Sequence, residues 1–304
     1  MFKNLITYRI ASTWAANSAE LEANLHKMPF VECGPTQPTS AGWVSPRGVL
    51  HAPFVESIGG QWLIKLVVEQ RMLPSSVVKR RVDEMAAKIE ETTGRKPGKN
   101  QKKELAEEAT LELLPKAFTK QSSMKVWIDP KQRLLMVDAV STLKSDDVVT
   151  LLVRAVEGLS LSMLQTAQSP AAAMSQWLST GEPPQGFSLD RECELKAPDE
   201  TKSSVRYARH ALDIDEVRQH IAQGKIPVQL ALTWQGRVSL VLTDAMLIKK
   251  IAFLDGVFDA GSKPGKDEAF DADAAIATGE LGKMIPDLLD ALGGEQKMEE
   301  LLAA

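Results

Sequence analysis

The chain has 304 residues, 44% hydrophobic and 25% charged, the composition of a folded globular protein. Its 36 basic and 40 acidic side chains leave a formal charge of −4, which argues against a surface coated in Lys and Arg and shifts the question to where the basic groups sit. Two distant cysteines, Cys33 and Cys193, make neither a zinc site nor a disulfide framework and suit a reducing cytoplasm, while no uncharged run approaches the ~18 residues of a membrane span.

Residues 2–10 read as a strand in which Lys3 and Arg9 interrupt any signal-peptide core. Residues 18–28 read as a helix with Ser18 as its N-cap, and 34–53, broken by Pro and Gly, as a loop. The β-branched run 62–69 (WLIKLVVE) predicts a buried strand. From 75 to 114 the period changes. Val78, Val82, Met85 and Ile89 form one helical stripe, and Leu105, Ala109 and Leu113 a second. Gly94, Pro97 and Gly98 break the two apart, so a helical hairpin is expected to project from a sheet-based body.

After Pro115, strands 125–128 and 134–140 flank the turn 129–133. A helix follows with Ser145 as cap and Val148, Leu151, Leu152, Ala155 and Val156 as its apolar face. Residues 165–172, rich in Ser, Gln, Ala and Pro, read as a linker. Beyond it lie strands 229–233, 237–243 and 247–254 and a helix over 279–292 ended by Gly293 and Gly294. The expected class is α+β. Residues 1–74 and 115–164 make a central sheet-based domain, 75–114 an inserted hairpin, and 165–304 a C-terminal α+β domain.

Residues 79–103 hold nine basic side chains, Lys79, Arg80, Arg81, Lys88, Arg95, Lys96, Lys99, Lys102 and Lys103, against four acids. Such a run is either a solvated helical face or a patch that tracks phosphates. The chemistry of catalysis is thin. No two of the four histidines stand at metal-ligand spacing, and no activated-serine elbow occurs. The glycine loops 94–100 and 261–267 have three residues between glycines where a P-loop needs four. Asp271, Asp273 and Glu280 could hold cations in a nuclease. The alternative places Asp271 and Asp273 at the start of a strand and Glu280 in a first helical turn. No catalytic residue, metal or cofactor is expected. Trp62, Trp127 and Trp234 lie in apolar strands and read as core.

Several segments in order carry a resemblance: Phe2-Lys3-Asn4-Leu5 with Tyr8-Arg9, Cys33-Gly34, Gly42-Trp43-Val44, Leu73-Pro74-Ser75, Leu113-Leu114-Pro115-Lys116-Ala117-Phe118, Trp127-Ile128-Asp129, Gln185-Gly186-Phe187, Leu230-Ala231-Leu232 with Trp234, Thr278-Gly279-Glu280-Leu281, and Leu292-Gly293-Gly294-Glu295. The chain resembles, end to end, the RdgC family of recombination-associated proteins of proteobacteria. The resemblance implies a horseshoe-shaped subunit whose homodimer closes into a ring around a basic hole. It implies cytoplasmic, nucleoid-associated binding of double- and single-stranded DNA with little sequence preference, restraint of RecA, and no membrane contact. It puts Phe118 at one dimer contact and Arg209 with His210 at the other. The family has lysine and glutamine at that second pair, so the charge is kept and the amide is not. The loop 256–267 and the tail after Glu295 also depart. Read from the residues alone, Phe118 is rather a core side chain opening a strand than an exposed anchor.

Overall fold

The computed structural model describes residues 2–49, 51–258 and 266–296. The first half runs β1 (Ile6–Ile10), α1 (Ser18–Leu25), β2 (Thr39–Val44), β3 (Glu56–Ile58), β4 (Gln61–Met72), α2 (Ser75–Thr93), α3 (Lys99–Leu113), a 3₁₀ turn (Leu114–Lys116), β5 (Phe118–Asp129), β6 (Leu134–Val137), α4 (Thr142–Ala155) and β7 (Leu161–Met163). The second runs α5 (Pro170–Thr180), β8 (Phe187–Lys196), β9 (Ser204–Ala208), α6 (Asp215–Ala222), β10 (Ile226–Trp234), β11 (Val238–Thr243), β12 (Ile248–Phe253) and α7 (Lys266–Ala291). The class is α+β, and no described helix is long and apolar enough to cross a membrane.

Two antiparallel sheets carry these elements, one ordered β2-β4-β5-β6-β1-β7 with β3 also on β4, the other β12-β11-β10-β8-β9. Period-2 alternation gives the larger sheet two apolar faces. Ile6, Tyr8, Ile64, Leu66, Val126 and Ile128 face a core with Leu21 and Leu25 of α1 and Val148 and Leu152 of α4. Leu63, Trp127 and Met136 point the other way. They share a second core with Leu230, Leu232, Leu240 and Leu242 of the smaller sheet and with Leu281, Met284 and Leu288 of α7. The sheets also meet through main chain: Leu5 and Ile248 exchange hydrogen bonds of 2.7 and 3.1 Å, and Ile251 N–H donates to the Lys3 carbonyl at 2.9 Å.

The structure differs from the sequence reading in several places, each for a local reason. Asn17, not Ser18, caps α1, its side chain accepting from Ala19 and Glu20 N–H. The helix ends at Leu25, and β2 lies inside the stretch read as loop. Ser145 is no cap either. It is fully buried inside α4, donates to the Thr142 carbonyl at 2.8 Å and so receives the Tyr8 hydroxyl at 2.6 Å. Residues 165–172 are not a linker: Ser169 caps α5, whose small residues let Ala173, Met174, Trp177 and Leu178 pack into the core. Asp271 and Asp273 sit on α7, since the Ala-rich segment before Gly279 is helical rather than extended. The expected turn at 129–133 is present, with Asp129 Oδ1 accepting from Lys131 and Gln132 N–H, both at 2.9 Å. Trp62, Trp127 and Trp234 are buried.

Gly42 lets the segment before β2 lie on the edge of the sheet, where Phe30 N–H donates to the Trp43 carbonyl at 3.0 Å. A β-carbon at Gly42 would stand 2.4 Å from Phe30 Cα and 2.5 Å from the Pro29 carbonyl oxygen. Backbone cannot step aside as a side-chain tip can. Gly42→Ala is expected to cost at least about 2 kcal/mol, read as a lower midpoint in urea unfolding. An unchanged midpoint would show that the 28–30 segment is free to move.

Candidate nucleic-acid interface

The helical hairpin forms as its two stripes predict. Val78, Val82, Met85 and Ile89 of α2 are half-buried, Leu105 and Ala109 of α3 are buried, and the two helices pack mainly on each other. Gly94 ends α2 in the left-handed region at φ 70°, a conformation that favours glycine. Pro97 is buried at the turn. Gly98 is the N-cap of α3, so no side chain caps the first N–H groups of that helix.

Charge along the hairpin is more polarised than the window 79–103 suggests. α2 balances Lys79, Arg80, Arg81 and Lys88 with Asp83, Glu84, Glu90 and Glu91, and the rest of α3 adds Glu104, Glu107, Glu108 and Glu112. Between 94 and 103 stand Arg95, Lys96, Lys99, Lys102 and Lys103, all exposed, with no acid among them. Arg81 is committed locally, since its guanidinium grips Glu112 of α3 at 2.8 and 3.0 Å and Glu84 at 3.2 Å. It staples the hairpin. Arg80 lies 4.0 Å from Glu84, and Lys96 lies 3.9 Å from Glu90, both on an exposed surface where such pairs hold weakly.

Phe118 opens β5 and is 88% exposed, opposite Met72 in register and also solvent-facing. The core alternative for this side chain is thereby excluded. Arg209 and His210 follow β9, the outer strand of the smaller sheet, and both are exposed. Arg209 sits at φ 58°, in the left-handed region. His210 N–H donates to the Arg191 carbonyl at 3.1 Å, and its Nδ1 bonds the Ala211 carbonyl at 2.7 Å.

The carboxylates that suggested a nuclease do not converge. Asp271 Oδ1 receives Arg47 Nη2 at 2.5 Å, and the same guanidinium holds Glu56 and lies over the Phe270 ring. Those partners, Glu56 first, raise the Arg47 pKa. Glu280 takes two bonds of 2.7 Å from Arg237, which holds its carboxyl below the ordinary range. Asp273 is exposed. Among the described residues no three metal-ligating side chains come together. Both thiols are buried and unbridged, with burial pushing Cys193 up to about 12. The glycine loop 94–100 joins α2 to α3, and most of the loop 261–267 lies outside the described residues.

A projecting, acid-free cluster of cations, with no three metal-ligating side chains together among the described residues, is the setting in which relatives become informative. The family model described as "Putative exonuclease, RdgC" matches residues 1–295. The chain belongs to the RdgC family. The recombination-associated protein RdgC of Dechloromonas aromatica is 47% identical over 97% of this chain and 98% of its own length. Those of Cupriavidus pinatubonensis and Bordetella pertussis are 44% and 41% identical over 97% and 98% of this chain, and each is covered over 99% of its length.

Reasoning from sequence missed the polar root that aims the hairpin in this RdgC chain. Where β4 and β5 leave the core, Glu69 is buried and accepts Cys33 N–H at 2.5 Å and Gln121 Nε2 at 3.0 Å. These bonds, the Cys33 amide first, hold its carboxyl below the ordinary range. Two residues on, Arg71 donates to four main-chain carbonyls: Cys33 at 3.1 Å, Gly34 at 3.2 Å, Leu114 at 3.3 Å and Ala117 at 3.1 Å. Alternating polar residues on a strand usually mean solvent, so nothing in the pattern marked them. Arg71→Met keeps the stem and removes all four donors. Its expected cost is about 1–3 kcal/mol, with faster amide exchange confined to residues near 114–119. Unchanged exchange there would show that the 3₁₀ turn holds itself.

Proposed function

We propose that this chain binds double- and single-stranded DNA without reading base sequence, as a homodimeric ring, and restrains RecA by occupying DNA in the nucleoid. The observation that carries the reading is the acid-free cluster Arg95, Lys96, Lys99, Lys102 and Lys103 at the end of a projecting helical hairpin. On a chain of net charge −4, such a cluster attracts a polyanion to one place while the remaining surface repels it. Flexible lysines on an exposed turn suit phosphate contacts, which position a protein but carry no sequence information. Lys79, Arg80, Arg81 and Lys88 are nearer the hairpin's root and balanced by acids, so they contribute less in this reading.

Dimer closure through Phe118 on one side and Arg209 with His210 on the other is supported by exposure. A large aromatic ring left in water is an expected site of association. The ring also explains how weak contacts suffice, because a closed loop retains DNA by topology.

The chain is further proposed to act without catalysis. Its relatives are named for recombination, while the family model's description keeps an exonuclease as the second reading. Mg²⁺-dependent shortening of an end-labelled duplex that vanishes in Asp271→Ala with Asp273→Ala would favour that second reading.

Two outcomes test the main one. Replacing Lys96, Lys99, Lys102 and Lys103 together by Gln should weaken binding to unrelated duplexes alike. The slope of log affinity against log salt should flatten by about 0.9 for each phosphate that the protein no longer neutralises. An unaltered slope would mean that the tip points away from DNA. Phe118→Ala should weaken the dimer by about 2–4 kcal/mol, seen by sedimentation, and reduce retention on closed circular DNA at high salt. Because the ring is exposed, Tm should move by no more than about 2 °C. Full retention on circles would remove Phe118 from the dimer interface.

A further inference from the structure

Away from the hairpin, a cleft of about 750 Å³ opens beside β2, between α1, residues 45–54 and the neighbouring end of the sheet. Its distinguishing feature is a preassembled aromatic pair. The His26 ring lies flat against Phe54, centroids 4.2 Å apart and planes 18° from parallel. Glu22 fixes both partners. Its Oε1 bonds His26 Nε2 at 2.8 Å and accepts Phe54 N–H at 3.0 Å, while Oε2 accepts Val55 N–H at 2.6 Å. The histidine ring is therefore locked in plane, yet its side chain remains 54% exposed. Lys65 of β4 and His51 line the same cleft, and Phe30 forms part of its wall.

A flat ring held from behind and open in front is a stacking platform, because its side-chain entropy is already spent before a second ring settles on it. The lysine lining the same cleft suits an anion. Together they match the chemistry of one nucleotide: an aromatic face for a base and a cation for the adjoining phosphodiester. In a duplex both faces of each base are covered by neighbours, so the platform is available only to a base that is unpaired and unstacked.

We propose that this cleft receives an unpaired base of a DNA single strand, stacked on His26 and with its phosphodiester near Lys65. The inference rests on the DNA-binding reading and adds to it a separate site that distinguishes single strands from duplex. The Glu22 carboxylate does not repel the phosphate strongly, since two backbone N–H groups and the imidazole already engage it.

The test uses the full chain and a thymidine oligomer carrying one 2-aminopurine, with a duplex of the same length beside it. His26→Ala should weaken oligomer binding by about five- to tenfold, the lower range for removing one stacked base. It should also abolish the change in 2-aminopurine emission on binding. His26→Tyr, which keeps a flat ring, should retain most of both. Lys65→Gln should lower the salt slope for the oligomer by about 0.7. Duplex affinity should stay within twofold for all three variants, and unchanged Tm values show that each is folded. Oligomer binding indifferent to His26→Ala, with duplex binding intact, overturns this inference alone. Equal weakening on oligomer and duplex overturns it too, since that marks a general electrostatic effect. Free 2-aminopurine deoxyribonucleotide bound as tightly as the oligomer would replace the strand by a small ligand. A wild-type protein that binds neither strand nor duplex takes down the DNA-binding reading and this inference with it.

Discussion

The helical hairpin and Phe118 depend on the antiparallel pairing of β4 with β5. Their register runs unbroken from Trp62↔Ile128 to Met72↔Phe118. The inner half of this ribbon is packed on both faces, and a slip of one residue would turn Trp62, Ile64, Leu66 and Val68 into the wrong core. That penalty fixes the register, and the register then dictates where the outer half emerges. At the outer end β5 has no apolar cover: 118–123 are all exposed. Polar bonds take over there. Glu69 and Arg71 tie the ribbon to residues 33–34 and to the 3₁₀ turn that begins β5, so core packing at one end aims Phe118 and the hairpin at the other.

Legibility in the sequence followed how local the determining physics is. The hairpin could be read because helical spacing and a Gly-Pro-Gly breaker act over a few residues, and both helices lie where the stripes put them. β4 was legible from its β-branched run. By contrast β8 mixes Asp190, Arg191, Glu192 and Glu194 into its sequence, and β9 is short and polar, so neither has a clean alternation. The start of α7 and the nature of α5 depend on Ala and Ser, which pack in helices as readily as they fill linkers. For the candidate interface, the basic run was visible but its extent was not. Glu112 is 31 residues from Arg81 in sequence and becomes its partner only when α3 folds back on α2.

Acidic side chains are numerous here, yet several are spent on joining distant parts of the fold. Arg47 couples Glu56 to Asp271, Arg237 grips Glu280, and Arg9 grips Glu295 near the end of the described chain. Each of these arginines joins elements far apart in sequence. Removing the arginine alone would leave a carboxylate beside apolar packing, which is why such pairs hold geometry even where their net contribution to stability is small. A carboxylate engaged in this way has its charge already matched, so a divalent cation would have to displace a guanidinium to use it.

The distribution of charge sets the terms on which the proposed DNA binding can work. With net charge −4 and five cations clustered at one tip without an acid among them, attraction is local and repulsion general. A monomer relying on that tip would release DNA as salt rises, since phosphate neutralisation frees counterions and affinity falls more steeply the more phosphates are engaged. In the proposed dimer, two copies related by a two-fold axis would present two tips to one duplex. Linking them turns engagement of the second tip into an intramolecular event at high effective concentration. Weak, exposed lysine contacts would then be an advantage, since each could break and re-form along the backbone while the proposed assembly stays on. An association surface built around the exposed Phe118 ring would not be weakened by the salt that weakens the tips. Under the proposed function, contact with DNA and closure around it would therefore respond to different conditions, and the excess of acids over the rest of the chain would disfavour binding elsewhere.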